Sequence, residues 1–193
     1  MIVTPVELDI AALGLGNSGG VRGEGLHASD IYSDLYQDLE PKRFVRDRPF
    51  DLPTLETGII WENILEEGLR RRFGHLRPGE FQTPEGIYFN PDLFMYEGPN
   101  KATLRVGEIK ATWMSAKDGI QHAKFDKYLT QLKFYCEALG TDLGCLLVFF
   151  VNGDMTIRPY KPLFRAWNLQ FTPTELKENY AMLIKHAESK GML

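Results

Sequence analysis

The sequence predicts an α/β fold in which a mixed central β-sheet is flanked by α-helices. Three observations carry that expectation. Apolar residues recur at helical spacing over 54–73 and 124–139. Two strand-like runs, 86–96 and 103–112, are joined by the turn text Glu97-Gly98-Pro99-Asn100. Residues 143–151 are almost wholly apolar, as a strand covered on both faces is. With 193 residues, 44% of them hydrophobic, the chain suits one well-buried domain and is too short for two large ones.

Taken in order, residues 1–25 read as a flexible arm, punctuated by Gly14, Gly16, Gly19, Gly20, Gly23 and Gly25, ahead of a single domain over 26–193. The Gly14-x-Gly16 pair is no phosphate loop, since no Gly-Lys-Ser/Thr follows it. Ser29 resembles the N-cap of a short helix carrying Ile31, Tyr32, Leu35 and Leu39, which Pro41 stops, and His27 reads as a local cap or packing residue. Thr54 opens a long helix with an apolar stripe of Ile60, Ile64, Leu65, Leu69 and Phe73. The helix over 124–139 ends at Gly140. After the strand 143–151, Asn152-Gly153 reads as a hairpin turn, with Met155 to Tyr160 returning as an edge strand. Thr172-Pro173-Thr174-Glu175 combines an N-cap, a proline at the first helical position and a capping-box acid, opening a helix to about Lys190.

The chemistry concentrates between Asp92 and Lys110. Glu108 and Lys110 are two apart, so on a strand both leave one face while Ile109 points into the core. Folding at the 97–100 turn brings Asp92 alongside that strand. Two carboxylates and a neighbouring backbone carbonyl suit a hard divalent cation, Mg²⁺ or Mn²⁺. A lysine beside it can orient or deprotonate an attacking water, or stabilise charge on a phosphorane-like transition state. Taken alone, Asp92 reads as a turn residue and Glu108 with Lys110 as a solvated cross-strand pair. Their setting in a central-looking strand asks for a better reason to hold charge.

Pro91-Asp92 followed by Glu108-x-Lys110 resembles the PD-(D/E)xK, restriction-endonuclease-like nuclease core, and two further pieces stand in that family's order. Upstream, Gly58-Ile59-Ile60-Trp61-Glu62 lies where exonuclease-like members place an acid, although Glu66 and Glu67 compete in the same helix. Downstream, Gln131 and Tyr135 resemble the QxxxY element of the RecB-like and lambda-exonuclease-like branches, and being four apart they share a helix face. The resemblance covers roughly 54–151. It implies a Mg²⁺- or Mn²⁺-dependent deoxyribonuclease with Asp92, Glu108, Lys110 and Glu62 catalytic. The metal would be held by Asp92, Glu108, the Ile109 carbonyl and Glu62, with Gln131 and Tyr135 bracing the carboxylates or holding a DNA phosphate. It further implies exonuclease or end-processing work in phage or bacterial DNA recombination or repair. The alternatives are a structure-selective or restriction-type endonuclease, and a non-catalytic nuclease-fold component that binds DNA or serves phage-particle assembly. Ring-forming relatives leave a homo-oligomer, or a phage protein partner, open to the chain.

A net charge of −4 is unusual for a DNA enzyme, but the basic residues cluster. Lys42, Arg43, Arg46 and Arg48 form one group and Arg70 to Arg72 a second, read as a solvated face. Lys117, Lys124, Lys127 and Lys133 form a third beside the Gln131 helix, from which Lys124 and Lys127 are expected to contact the DNA backbone. Two cysteines, Cys136 and Cys145, are too few for a zinc module or a four-cysteine iron–sulfur cluster, so no iron–sulfur cluster is expected. No basic stretch leads into a long apolar run, which predicts neither signal peptide nor membrane span and a place in the cytoplasm of a bacterium or an infected host. His75, His122 and His186 read as surface or packing residues.

Overall fold

The computed structural model describes residues 1–7, 24–41, 52–74, 78–98 and 102–193. In chain order these form β1 (Ile2–Glu7), α1 (Ala28–Leu39), α2 (Leu52–Phe73), β2 (Phe81–Gln82), β3 (Tyr88–Phe89), β4 (Leu93–Glu97) and β5 (Thr103–Thr112). A 3₁₀ turn (Ala123–Phe125) then leads into α3 (Asp126–Ala138), β6 (Leu143–Phe150), β7 (Leu163–Gln170) and α4 (Pro173–Ser189). The five-stranded sheet has the order β1-β7-β6-β5-β4, with β5 and β6 parallel and every other neighbour antiparallel. This is the mixed α/β arrangement expected. The single parallel pair follows from α3, whose crossover carries the chain back to the same end of the sheet.

Alternation along β5 separates two cores. Ile109 packs with Leu65 and Leu69 of α2 and with Leu147, Phe149 and Phe164 on one face. Val106 faces the other way, into a larger cluster with Phe134 and Leu132 of α3, Ile31 of α1 and Leu183 of α4. Both clusters are closed to solvent, and truncating such a buried aliphatic costs about 2–5 kcal/mol.

Several boundaries differ from the sequence reading. Residues 1–25 were expected to form a flexible arm, yet Ile2–Glu7 pair along β7 from Gln170 to Arg165, so this end closes the sheet. The rest of that arm, 8–23, lies outside the described residues, as do Lys42, Arg43, Arg46, Arg48 and His75. The N-cap of α1 is His27, two residues before the expected Ser29. Its extended backbone, at φ −103°, fits the cap position, and its N–H donates to Asp30 Oδ2 at 3.2 Å. In α2 the stripe is Trp61, Leu65 and Leu69, whereas Ile60 and Phe73 are exposed. The i, i+4, i+8 row docks on the sheet, and Ile60 stands a hundred degrees round the helix from it.

The run 86–96 is not one strand. Pro91 supplies no N–H to a ladder, and the chain breaks at Asn90-Pro91-Asp92. Upstream, β3 pairs with β2 in a separate ribbon; downstream, β4 pairs with β5. The return from β6 is also later than expected. It is β7, not Met155 to Tyr160, that pairs with β6, and Pro159 and Pro162 keep 151–162 out of the sheet. At the foot of that loop Gly153 has φ +58°, and a Cβ there would lie 1.8 Å from the Lys161 carbonyl oxygen, so the backbone itself pinches the loop shut. The capping box of α4 is as expected: Thr172 Oγ1 accepts from the Glu175 N–H at 3.2 Å and Glu175 Oε2 accepts from the Thr172 N–H at 3.0 Å. Among the described residues no helix is long and apolar enough to cross a membrane.

Candidate active site

The site lies where the sheet loses a ladder. Because β4 begins at Leu93, opposite Gly107, residues of β5 beyond Gly107 have no strand on that side. In an extended strand the N–H and C=O of one residue point to the same side, so the groups of Ile109 and Ala111 are left facing the gap. Carboxylates take the place of the missing strand. Asp92 Oδ2 accepts from the Ile109 N–H at 2.7 Å, and Glu62 Oε1, reaching over from α2, accepts from the Ala111 N–H at 3.2 Å. The break at Pro91 is thus what sets Asp92 against β5.

Glu108 leaves the face covered by α3 and is 1% exposed. Its Oε1 accepts from Gln131 Nε2 at 2.5 Å and meets Lys110 Nζ at 2.5 Å. Gln131 also reaches the Tyr135 hydroxyl at 2.7 Å, so the two residues spaced four apart on α3 work as one brace. The other oxygen, Oε2, is buried with no hydrogen-bond partner among the described residues. An ionised oxygen in that position is costly unless something cationic completes it. A cavity of about 430 Å³ opens at this point, reached by Asp92, Glu108, Lys110, Glu62, Gln131 and Tyr135 together.

The charges explain one another. Burial, then the charge of Asp92, pushes the Glu108 carboxyl well above the usual carboxylate range. Burial also raises Glu62. Burial works against the Lys110 ammonium, but Glu108, Glu62 and Asp92 outweigh it and hold its pKa well above the ordinary lysine value. The cluster carries more acid than one lysine balances. That surplus, the orphaned Oε2 and the all-oxygen donor set fit a hard divalent cation. As a trio, Asp92, Glu108 and Glu62 do not bring their oxygens within 4.8 Å of one another, because two of them are drawn to backbone N–H groups along β5. Among the described residues the group that does so is Asp34, Asp38 and His186, and there Lys190 Nζ already stands 2.6 Å from Asp38 and 3.5 Å from Asp34.

Of the expected site residues, Asp92, Glu108, Lys110, Glu62, Gln131 and Tyr135 line one cavity, whereas Ile109, Lys124 and Lys127 do not. Lys124 pairs with Asp118 Oδ2 at 3.1 Å. Lys127 donates to Ser33 Oγ at 3.1 Å and stands 5.5 Å from the centre of the Tyr32 ring. Neither lines the cavity. The same cavity is lined by residues that the sequence does not mark as site residues: His27 at the N-cap of α1, Ser29 and Tyr32 within it, and Glu80, Tyr88 and Asn90. The sequence places Tyr32 on an apolar helix face. It is buried there, but its hydroxyl meets Tyr135, and burial followed by the nearby Glu108 charge raises its pKa. His27 had a usable signal, a polar ring directly before a helix, which marks a cap and says nothing about a cavity.

No protein-family model matches the sequence, and no curated protein does. Solved structures align with most of this chain. The crystal structure of SSO0001 aligns over 90% of this chain and 78% of its own, at 15% identity and a TM-score of 0.50. The alkaline exonuclease LHK-Exo from Laribacter hongkongensis aligns over 86% of this chain and 89% of its own, at 12% identity and a TM-score of 0.47, and LHK-Exo in complex with dAMP does so at 11% and 0.47. At 15% identity the likeness to SSO0001 bears on the fold alone and leaves the chemistry to the residues.

Proposed function

We propose that the chain is a metal-dependent deoxyribonuclease of the PD-(D/E)xK type, acting on DNA ends. One observation carries this reading: a fully buried glutamate, Glu108, has one oxygen fixed by Gln131 and Lys110 and the other orphaned, in a cavity shared with Asp92 and Glu62. A structural ion pair would satisfy both oxygens. An oxygen left bare beside surplus acid suits a cation that arrives with its substrate.

Mg²⁺ or Mn²⁺, held by Asp92, Glu108 and the Ile109 carbonyl with Glu62 directly or through water, would supply Lewis-acid polarisation of the phosphate and an acidified water. The residues do the rest. The Ile109 carbonyl faces the gap on the same side as its own N–H, which donates to Asp92. Lys110, kept protonated by its neighbours, donates to the attacking water or to the phosphate oxygen on which charge builds. Gln131 and Tyr135 hold Glu108 in one orientation, as supporting shells do around metal ligands. A role in recombination or repair, inside a bacterial or phage-infected cell, accords with an end-acting nuclease.

The test is incubation of purified protein with linear and circular DNA, single- and double-stranded, in Mg²⁺, Mn²⁺ or EDTA. Metal-dependent loss of linear DNA with circles spared is the expected result. Asp92→Asn keeps an acceptor for the Ile109 N–H while removing charge, and it should abolish cleavage in a folded protein. Cleavage that survives this change, or that proceeds in EDTA, would overturn the reading.

A further inference from the structure

Beyond the metal site, the loop 151–162 and the segment 113–117 form a second feature at the same end of the sheet. β5 and β6 run parallel, so both segments leave from their C-terminal ends, and Trp113 follows Lys110 by three residues. The two segments are laced together. The Ala116 N–H donates to the Gly153 carbonyl at 2.9 Å, the Met155 N–H to Ser115 Oγ at 3.1 Å, and Arg165 to the Ala116 carbonyl at 2.5 Å. A connection between antiparallel neighbours needs only a few residues, yet this one is long, pinched at its base by Gly153, and braced from outside.

Its surface combines exposed apolar groups with cations. Ile157 is 62% exposed, and Tyr160, Met155 and Trp113 are also open to solvent. Among them stand exposed Arg158 and Lys161, with Lys117 on the braced segment. The acids present are engaged: Asp154 accepts from the Thr156 N–H at 2.8 Å and from its hydroxyl at 2.6 Å, and Asp118 pairs with Lys124. The Arg158 guanidinium lies 3.6 Å from the centre of the Tyr160 ring, a stacked pair that presents a flat cationic platform. Beside it a cavity of about 390 Å³ runs between Ile157 and Pro162.

We propose that this loop holds a single strand of DNA leading to the metal site, with bases against Tyr160 and Trp113 and phosphates against Lys117, Arg158 and Lys161. This deepens the nuclease reading and rests on it. Cations beside exposed rings suit an unpaired strand, because every base has a π-face to offer and the backbone supplies the charge. In a duplex the bases are stacked on one another and only the cations would be used. A protein partner could also pair acids with Arg158 and Lys161, and it is the alternative that the binding experiment separates.

The experiment is fluorescence anisotropy of a labelled oligothymidine and of a blunt hairpin duplex, in EDTA so that no cleavage occurs. Wild type is compared with Arg158→Glu/Lys161→Glu and with Tyr160→Ala. A second probe, hydrolysis of bis(4-nitrophenyl) phosphate in Mn²⁺, reads the metal site without the strand. The charge reversal should weaken oligothymidine binding by about tenfold or more and flatten its salt dependence, and Tyr160→Ala should weaken it by about tenfold, with the hairpin less affected by the latter. Hydrolysis of the small ester should be unchanged in all three. If the small ester is not hydrolysed by any of them but strand binding falls as stated, the nuclease reading fails and the surface stands. Unchanged oligothymidine affinity, no binding by wild type, or a change in sedimenting mass with binding intact would each overturn the proposal. Should the glutamates unfold the loop, Arg158→Gln/Lys161→Gln gives the same comparison at nearly constant volume.

Discussion

Gln131 and Glu108 meet at 2.5 Å between α3 and β5, so an amide fixes one oxygen of the buried carboxylate, while the second has no hydrogen-bond partner among the described residues. The amide is itself held by Tyr135, whose ring stacks on Phe89 with centroids 5.5 Å apart. Orientation of the glutamate thus depends on packing well away from the cation. Gln131→Ala should weaken Mn²⁺ binding by about 10–100-fold, the usual effect of removing such a partner, with a small change in stability. Isothermal titration checks it, and an unchanged affinity would mean that Lys110 alone orients Glu108.

The raised carboxyls make stability depend on pH in a definite direction. Glu108 and Glu62 are both pushed above the ordinary value of 4.5 by burial. A carboxyl whose pKa is higher folded than unfolded binds its proton more tightly in the native state. Its stabilising effect is therefore full below about 4.5 and is lost as pH rises through the folded value. Glu175, pulled down to about 2 chiefly by the Thr172 N–H, acts in the opposite sense and only on the acid side, so the two windows do not overlap. In EDTA, Tm should fall as pH rises above about 4.5, and Glu108→Gln should flatten the slope. Mn²⁺ needs ionised ligands, so the Tm gain it gives should grow across that window, reaching about 5–10 °C at a hundredfold excess over Kd. A gain independent of pH would place the cation elsewhere.

What could be read in advance was local. The bounds of β5 and the capping box of α4 follow from period-two alternation and from Thr172, Pro173 and Glu175, signals contained within a few residues. The placement of Glu108 and Lys110 on one strand, with Asp92 set against it, was legible for the same reason. The strand opposite β6 was misplaced because Asn152-Gly153 does form a turn, which licensed a tight hairpin, while Pro159 and Pro162 postponed pairing to Leu163. Nothing near Ile2 announces that it will pair with Gln170, since that ladder joins the two ends of the chain. Tyr32 was missed on the same grounds: its helix reaches the site through contacts with α3, about a hundred residues onward, and locally it is one more apolar position.

Tyr32 offers a test of that last point. Its hydroxyl joins Tyr135, Gln131 and Glu108 in one chain of contacts. Tyr32→Phe keeps the ring in the α1 core and removes only the hydroxyl. The expected result is a Tm within about 3 °C of wild type, the cost of roughly one hydrogen bond, with Mn²⁺ affinity lowered several-fold. Equal metal binding in the two proteins would reduce Tyr32 to a packing residue.

Lys110 separates binding from chemistry. Its ammonium neutralises Glu108 from 2.5 Å, so deleting it removes charge repulsion against an incoming cation while stripping the cavity of its donor. Lys110→Met retains most of the side chain's apolar stem. Metal affinity should hold or tighten in this variant, whereas the rate of phosphodiester cleavage should fall by about 10²–10⁴, the range for loss of a positioned proton-transfer or charge-stabilising group. Single-turnover cleavage of an end-labelled duplex at saturating Mn²⁺ measures the second quantity apart from the first. If affinity and rate fall together, Lys110 serves chiefly to hold Glu108 in place, and the donor to the transition state must be sought among the other residues of the cavity, with Tyr88 and His27 the first to examine.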